Sequence, residues 1–205
     1  MSDLSRALVD IDRIRQQVAE SSEFRGYGPA TVAGTGVLAV AAAFAQSRWL
    51  PEPVAHHALY LELWIGVAIA SIALAAIEMF ARTRRIHTCM ASAMLRMAIE
   101  QFLPALAVGV LLTVALARFV PQSFWMLPAL WQILFSLGIF ASCRFLPRAM
   151  LFVGGWYLVT GLLLFSLAGD RALSPWAMGI PFGVGEVLVS AVLWFGAEKE
   201  SNDAI

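Results

Sequence analysis

Six long apolar runs, separated by short breaks, organise the 205-residue chain. They fall at 30–47, 59–80, 102–119, 124–142, 149–168 and 176–196. Each is close to the roughly 17–25 residues that a helix needs to cross a bilayer. The breaks hold Pro51, Pro53, Pro121, Pro147, Gly169-Asp170-Arg171 and Pro175, residue types that interrupt helices. The pattern predicts an all-α fold, a polytopic transmembrane bundle of six spans occupying residues 30–197.

Two further stretches have a different pattern. In residues 2–24, Leu4, Leu8, Ile11, Ile14 and Val18 recur every three or four positions among Asp3, Arg6, Asp10, Asp12, Arg13, Arg15 and Glu20. That is one apolar stripe on a charged helix, and Gly26, Gly28 and Pro29 end it, so residues 1–29 are expected to be a cytoplasmic amphipathic helix and linker. Between spans 2 and 3, Ile86, Met90, Met94 and Met97 oppose Arg85, Ser92 and Arg96. This predicts an interfacial amphipathic helix over 84–98. Arg82, Arg84, Arg85 and Arg96 are then candidate contacts for anionic lipid headgroups. Residues 198–205 are expected to be a short cytoplasmic tail.

Composition agrees with lipid as the solvent. Hydrophobic residues make up 60% of the chain and charged residues 14%, against about 45–50% and about 25% in soluble domains. Mean hydropathy is +0.76. Formal net charge is zero, which gives no basic surface for nucleic acid. Cys89 and Cys143 are far apart and in no CxxC arrangement, so neither a disulfide framework nor a zinc site is indicated.

Basic residues set the expected orientation. Arg6, Arg13, Arg15, Arg25, Arg82, Arg84, Arg85, Arg96, Arg144, Arg148 and Lys199 flank one side, and Arg48, Arg118 and Arg171 the other. Eleven against three predicts that both termini are cytoplasmic. Tryptophans fit interfacial belts, with Trp49, Trp64, Trp125, Trp131 and Trp176 toward one side and Trp156 and Trp194 toward the other. Residues 30–42 followed by Ala43-Phe44-Ala45 also resemble a signal-peptide core and cleavage site. The long preceding region, with five acids, argues instead for a retained span.

Three stretches carry a resemblance: Leu103-Pro104-Ala105-Leu106 running into Gly109-Val110-Leu111-Leu112-Thr113, Leu127-Pro128-Ala129-Leu130-Trp131, and Phe182-Gly183-Val184-Gly185-Glu186. With the charged helix before span 1 they resemble a group of uncharacterised bacterial six-span inner-membrane proteins. The resemblance implies the same topology and a bacterial inner-membrane location. It implies no chemistry.

Glu186 is the candidate for chemistry. It lies near the middle of the last span, where an ionisable group is costly and is by default functional. Counting about 1.5 Å per residue, Thr113, Gln132 and Thr160 reach nearly the same depth on spans 3, 4 and 5, which predicts an intramembrane polar cluster. Pro181, Gly179, Gly183 and Gly185 weaken the same helix, as in the interrupted helices of transporters. The alternative is a neutral Glu186 hydrogen-bonded to Gln132 or a threonine as interhelical glue, with Gly179 and Gly183 as a small-residue packing face.

Other polar residues point to no site. Glu62 and Glu78 sit about 24 Å apart along span 2, too far for a dyad. Glu62 is expected to reach the outer interface and Glu78 to pair with Arg82. Adjacent His56 and His57 do not share a helix face, and no third metal ligand is fixed by spacing. His87, Cys89, Met90, Met94 and Met97 are soft copper(I) ligand types, yet methionine at helical spacing is ordinarily packing material. No P-loop, HExxH, GxSxG or dinucleotide fingerprint occurs, so nothing in the chain supports an enzyme or a cofactor. The expected function is that of a non-enzymatic inner-membrane protein acting through lipids, a protein partner or a second copy of itself. The alternative is a small proton- or cation-coupled transporter or channel organised around Glu186.

Overall fold

In a computed structural model of the protein the described residues are 28–85, 89–143, 146–167 and 169–203, and they form six long helices. These are α1 (Pro29–Trp49), α2 (His57–Arg85), α3 (Cys89–Phe119), α4 (Leu127–Ser142), α5 (Met150–Leu167) and α6 (Pro175–Asp203). Short 3-10 turns, Pro121–Met126 and Gly169–Leu173, precede α4 and α6. Six stretches of 18 to 22 residues are apolar enough to cross a membrane: Ala30–Trp49, His57–Glu78, Ile99–Phe119, Pro121–Ser142, Met150–Leu167 and Pro175–Phe195. Every apolar run in the sequence is therefore part of a helical segment of membrane-crossing length.

The expected amphipathic helix before span 1 falls outside the described residues, as do 86–88. From Cys89 the chain runs into the third span as one unbroken helix of 31 residues, about 46 Å long. Of the stretch 84–98, residues 84–85 close α2 and residues 89–98 open α3, and 86–88 lie outside the described residues. The last helix likewise continues to Asp203, so the backbone of the expected tail extends α6 for most of its length.

Proline and glycine set the ends of these helices. Pro29 opens α1 after an extended Gly28, a position where the missing amide costs nothing. The Gly28 N–H donates to Glu78 Oε2 at 3.0 Å and so ties the start of α1 to α2. At the other end Leu50 N–H donates to Gln46 O at 2.8 Å, and Pro51 follows. Gly169, with φ of 68°, takes the left-handed conformation just past the end of α5, which an L side chain resists.

In space the helices follow the order α2, α1, α6, α5, α4, α3, each packing on the next. The closest pair is α1 with α6, antiparallel, with Gly36 against Glu186 and Gly183, Val40 against Gly183 and Ala43 against Gly179. Small residues let the two backbones approach closely. One apolar cluster holds Ala42, Ala43, Leu50, Tyr60, Trp64, Phe124, Leu127, Leu173 and Met178, at the end where α1 joins α2 and where both 3-10 turns lie. A second, toward the opposite end, holds Ile139, Met150, Val153 and Tyr157.

Tryptophan placement differs from a simple pair of belts. Trp49, Trp176 and Trp194 are exposed, but Trp64 is buried and donates to Gln46 Oε1 at 2.8 Å. Trp131 donates to Thr113 Oγ1 at 2.9 Å and Trp156 to Pro181 O at 2.9 Å. An indole N–H within reach of a buried acceptor is held inside the bundle, because a direct bond replaces the one that water would supply at the interface.

Candidate functional site

The sequence of α6 from Pro175 to Ala197 contains one charged residue, Glu186. Its position is set by the seam with α1: a Cβ on Gly36 would lie 3.0 Å from Glu186 Cβ and 3.2 Å from Gly183 O, so glycine at this level leaves room for the glutamate side chain beside α1. The carboxyl lies in interaction range of two hydroxyls, Thr35 on α1 and Tyr157 on α5. Three helices therefore meet at one acidic group.

Both hydroxyls are constrained. Thr35 donates its hydrogen to Val32 O at 2.7 Å. A hydroxyl has one hydrogen and two lone pairs, so toward Glu186 it presents a lone pair. Tyr157 is wholly buried, its ring packed against Phe135 at 4.8 Å and Phe182 at 5.2 Å. Gly185 leaves room for that ring, since a Cβ there would collide with it. The Tyr157 hydroxyl faces Glu186 but makes no hydrogen bond of ordinary geometry among the described residues.

The other residues expected to share this cluster are bound elsewhere. Gln132 on α4 is buried and its Nε2 donates to Ala177 O at 2.9 Å, nine residues before Glu186 and so about 13 Å away along α6. Thr113 on α3 donates to Gly109 O and accepts from Trp131. Thr160, one turn beyond Tyr157 on α5, donates back to Trp156 O at 2.9 Å. Equal depth along separate helices did not bring these four together, because helix rotation decides which face a residue presents and depth does not fix it.

Thr35 and Tyr157, the residues that do face Glu186, carry no signal of their own in the sequence. Thr35 is an ordinary polar residue in an Ala/Gly-rich helix, and Tyr157 sits in a continuous apolar run. Gln46 is a third unanticipated polar residue. It is buried, donates to Leu173 O at 2.8 Å and accepts from Trp64, so it links α1, α2 and the turn before α6.

At the bundle ends, Glu62 is exposed, and Glu78 accepts from the Gly28 amide, a contact that spacing alone did not suggest. The side chains of Arg82, Arg84, Arg85 and Arg96 lie outside the described set, and the expected Glu78–Arg82 pair with them. His57 stacks on Phe124 with ring centroids 4.0 Å apart. Among the described residues no three His, Cys, Asp or Glu side chains gather where they could hold a metal ion. The chain matches no protein-family model, no curated protein and no solved structure.

Proposed function

We propose that the protein resides in a bacterial inner membrane with both termini in the cytoplasm, catalyses no reaction of its own and works through protein or lipid partners. Six apolar helices support membrane residence. The orientation rests on the distribution of basic residues, and the bacterial setting on the short motifs around Pro104, Pro128 and Glu186.

The partner reading is carried by the uneven covering of the helices. In α2 and α3, the two ends of the arc, 11% and 6% of the membrane-crossing window is buried, against 44% for the window that includes α4. Lipid satisfies apolar faces of this kind. On α2, however, Gly66, Ala70 and Ala73 are exposed at helical spacing, and a Cβ at Gly66 would meet nothing within 4 Å. Small residues so spaced favour a second helix, because they let two backbones come close. The partner that needs no further component is a second copy of the chain.

Cross-linking in liposomes tests this. In a chain with Cys89 and Cys143 replaced, a single cysteine at Ala70 is expected to form a disulfide between copies, whereas one at Val159, an exposed position on α5, is not. Monomers at every protein-to-lipid ratio, with neither position cross-linked, would remove the self-association and leave lipid alone on α2.

A further inference from the structure

The chain enters α1 beside an open apolar groove on α2. The Gly28 N–H donates to Glu78 Oε2 at 3.0 Å, which pins the start of α1 to α2 at that level. Within a turn of Glu78 on either side, Ala76, Ile77, Phe80 and Ala81 line a groove of about 530 Å³. Ile77 is 67% exposed in it. The membrane-crossing stretch of α2 ends at Glu78, and Arg82, Arg84 and Arg85 follow in the sequence. The groove therefore straddles the level at which acyl chains give way to headgroups. Lipid tails cover only part of an apolar face at that depth, and an amphipathic helix lying in the interface is the element that suits it.

We infer that residues 2–24 of the same chain fold back onto this groove, with Ile14 and Val18 of their apolar stripe seated against Ile77 and Ala81. The place where the described chain begins carries the argument. Four residue steps lead from position 24 to Gly28, a span of at most about 14 Å, and Gly28 is bonded to a residue adjoining the groove. A tether this short holds the stripe near α2 at an effective concentration on the order of millimolar. The groove extends from Ala76 to Ala81, about 8 Å along α2, so it accepts one or two turns of the stripe. Those nearest the tether hold Ile14 and Val18.

Charge selects the same surface. Residues 2–24 hold five acids against three arginines, whereas helices that lie on anionic lipid are rich in Lys and Arg on the polar face. An acidic surplus is repelled by such headgroups and attracted to the arginines that follow Ala81. A second copy of the chain is the rival occupant, because Ile77 continues the α2 face of Gly66, Ala70 and Ala73 by one turn. The tether favours the chain's own segment, which needs no encounter with another molecule. The contact goes beyond the self-association of α2 and stands or falls independently of it.

Oxidative cross-linking of the full-length chain in phosphatidylcholine liposomes tests the contact, with Cys89 and Cys143 replaced by serine. Val18→Cys is paired with Ala81→Cys, and the control pairs Gln16→Cys with Ala81→Cys. Two positions apart on a helix do not share a face, so only the first pair brings the stripe to α2. The expected result is a disulfide within one chain, formed at least about tenfold faster for the first pair, because the seated face is held close. Equal rates describe a free tail, a product joining two chains describes the segment of a second copy, and no product from either pair describes a segment on lipid. Each of these overturns the proposal. Trypsin cleavage at Arg13 and Arg15 in bicelles is the second reading, and it serves if a cysteine variant does not fold. Ala81→Glu, which sets an acid against the acidic segment, is expected to speed that cleavage about tenfold by releasing it. Equal cleavage of the natural chain and Ala81→Glu overturns the proposal as well.

Discussion

Gln132 donates to the Ala177 carbonyl at 2.9 Å, the same carbonyl that Pro181 deprives of its helical partner four residues later. Proline has no amide hydrogen, so the i to i−4 bond from residue 181 is missing. In a bilayer no water replaces it, and a neighbouring helix must. A side chain on α4 therefore repairs a defect in α6.

Because the two residues are coupled, their substitutions are expected to be non-additive. Gln132→Leu alone should cost about 1–3 kcal/mol, the penalty of an orphaned buried carbonyl. In a Pro181→Ala background it should cost markedly less, since the new backbone amide donates to Ala177 O itself. Reversible unfolding in bicelles, run as a double-mutant cycle, measures the difference. Equal costs in the two backgrounds would mean that the Gln132 bond is unrelated to the proline.

The α1–α6 seam predicts a graded response among glycines. At Gly179 an added methyl meets Ala43 Cβ well inside contact distance, and both groups sit close to their backbones. Gly179→Ala is expected to destabilise by about 1–3 kcal/mol, the usual penalty of overpacking. Gly34, also on α1, has open space where its Cβ would go. Gly34→Ala should be neutral or mildly stabilising. Thermal melts of the two variants decide it, and a Gly179→Ala melt equal to that of the natural protein would show the seam to be looser than described.

These two cases show where the sequence is legible. Six helices and their ends follow from the spacing of apolar runs and from prolines such as Pro29, Pro121 and Pro175, because length and backbone chemistry are local properties. Glu186 is recognisable from depth alone, since an acid inside an apolar run has few explanations. Its partners are not. Thr35 lies about 150 positions away in sequence and faces Glu186 only because Gly36, Gly179 and Gly183 set how α1 and α6 rotate against each other. Rotation about a helix axis depends on packing with another helix, and the apolar runs of α1 and α6 have no strong polar face to reveal it. Gln132, Thr113 and Thr160 make their hydrogen bonds locally or with other parts of the bundle for the same reason.

Gln46 supports a third prediction. Its amide gives a hydrogen to Leu173 O and its carbonyl takes one from Trp64, both at 2.8 Å, in a fully buried setting. Gln46→Leu keeps most of the volume but strands one donor and one acceptor. A loss of about 2–4 kcal/mol is expected from two orphaned groups, with α2 loosened from α1. Hydrogen exchange near Tyr60 and Trp64 should rise in the variant. Unchanged exchange there would show that apolar packing alone seats α2.

Cys143 follows Ser142 at the end of α4, and burial pushes its thiol up from the ordinary range. The thiolate is the reactive form, and a raised pKa means that less of it is present at any given pH near neutrality. In a Cys89→Ser chain, iodoacetamide is expected to label the native protein more slowly than the unfolded one. The pH at which the native rate rises should also lie above that of the unfolded chain. Superimposed rate profiles would contradict burial of the thiol.

The orientation yields the last prediction. Basic side chains resist translocation, so segments rich in Lys and Arg stay cytoplasmic. Arg82, Arg84, Arg85 and Arg96 all lie about the break between α2 and α3, and Arg144 and Arg148 about the break between α4 and α5. The breaks after α1, α3 and α5 carry only Arg48, Arg118 and Arg171. Six spans put both termini on the same side as the arginine-rich breaks. Single cysteines at Ser2, Thr88 and Ser201, in a chain without Cys89 and Cys143, should therefore react with an impermeant thiol reagent only after the membrane is opened. A cysteine at Pro53, in the turn between α1 and α2, should react in intact cells. Pro53 also reports on the first span. If α1 were a cleaved signal peptide, the remaining chain would begin near that turn, and the tag on a cysteine at Ser2 would be missing from the mature protein. Labelling of position 88 from outside would invert the scheme, because no arrangement with six crossings and cytoplasmic ends exposes the α2–α3 break.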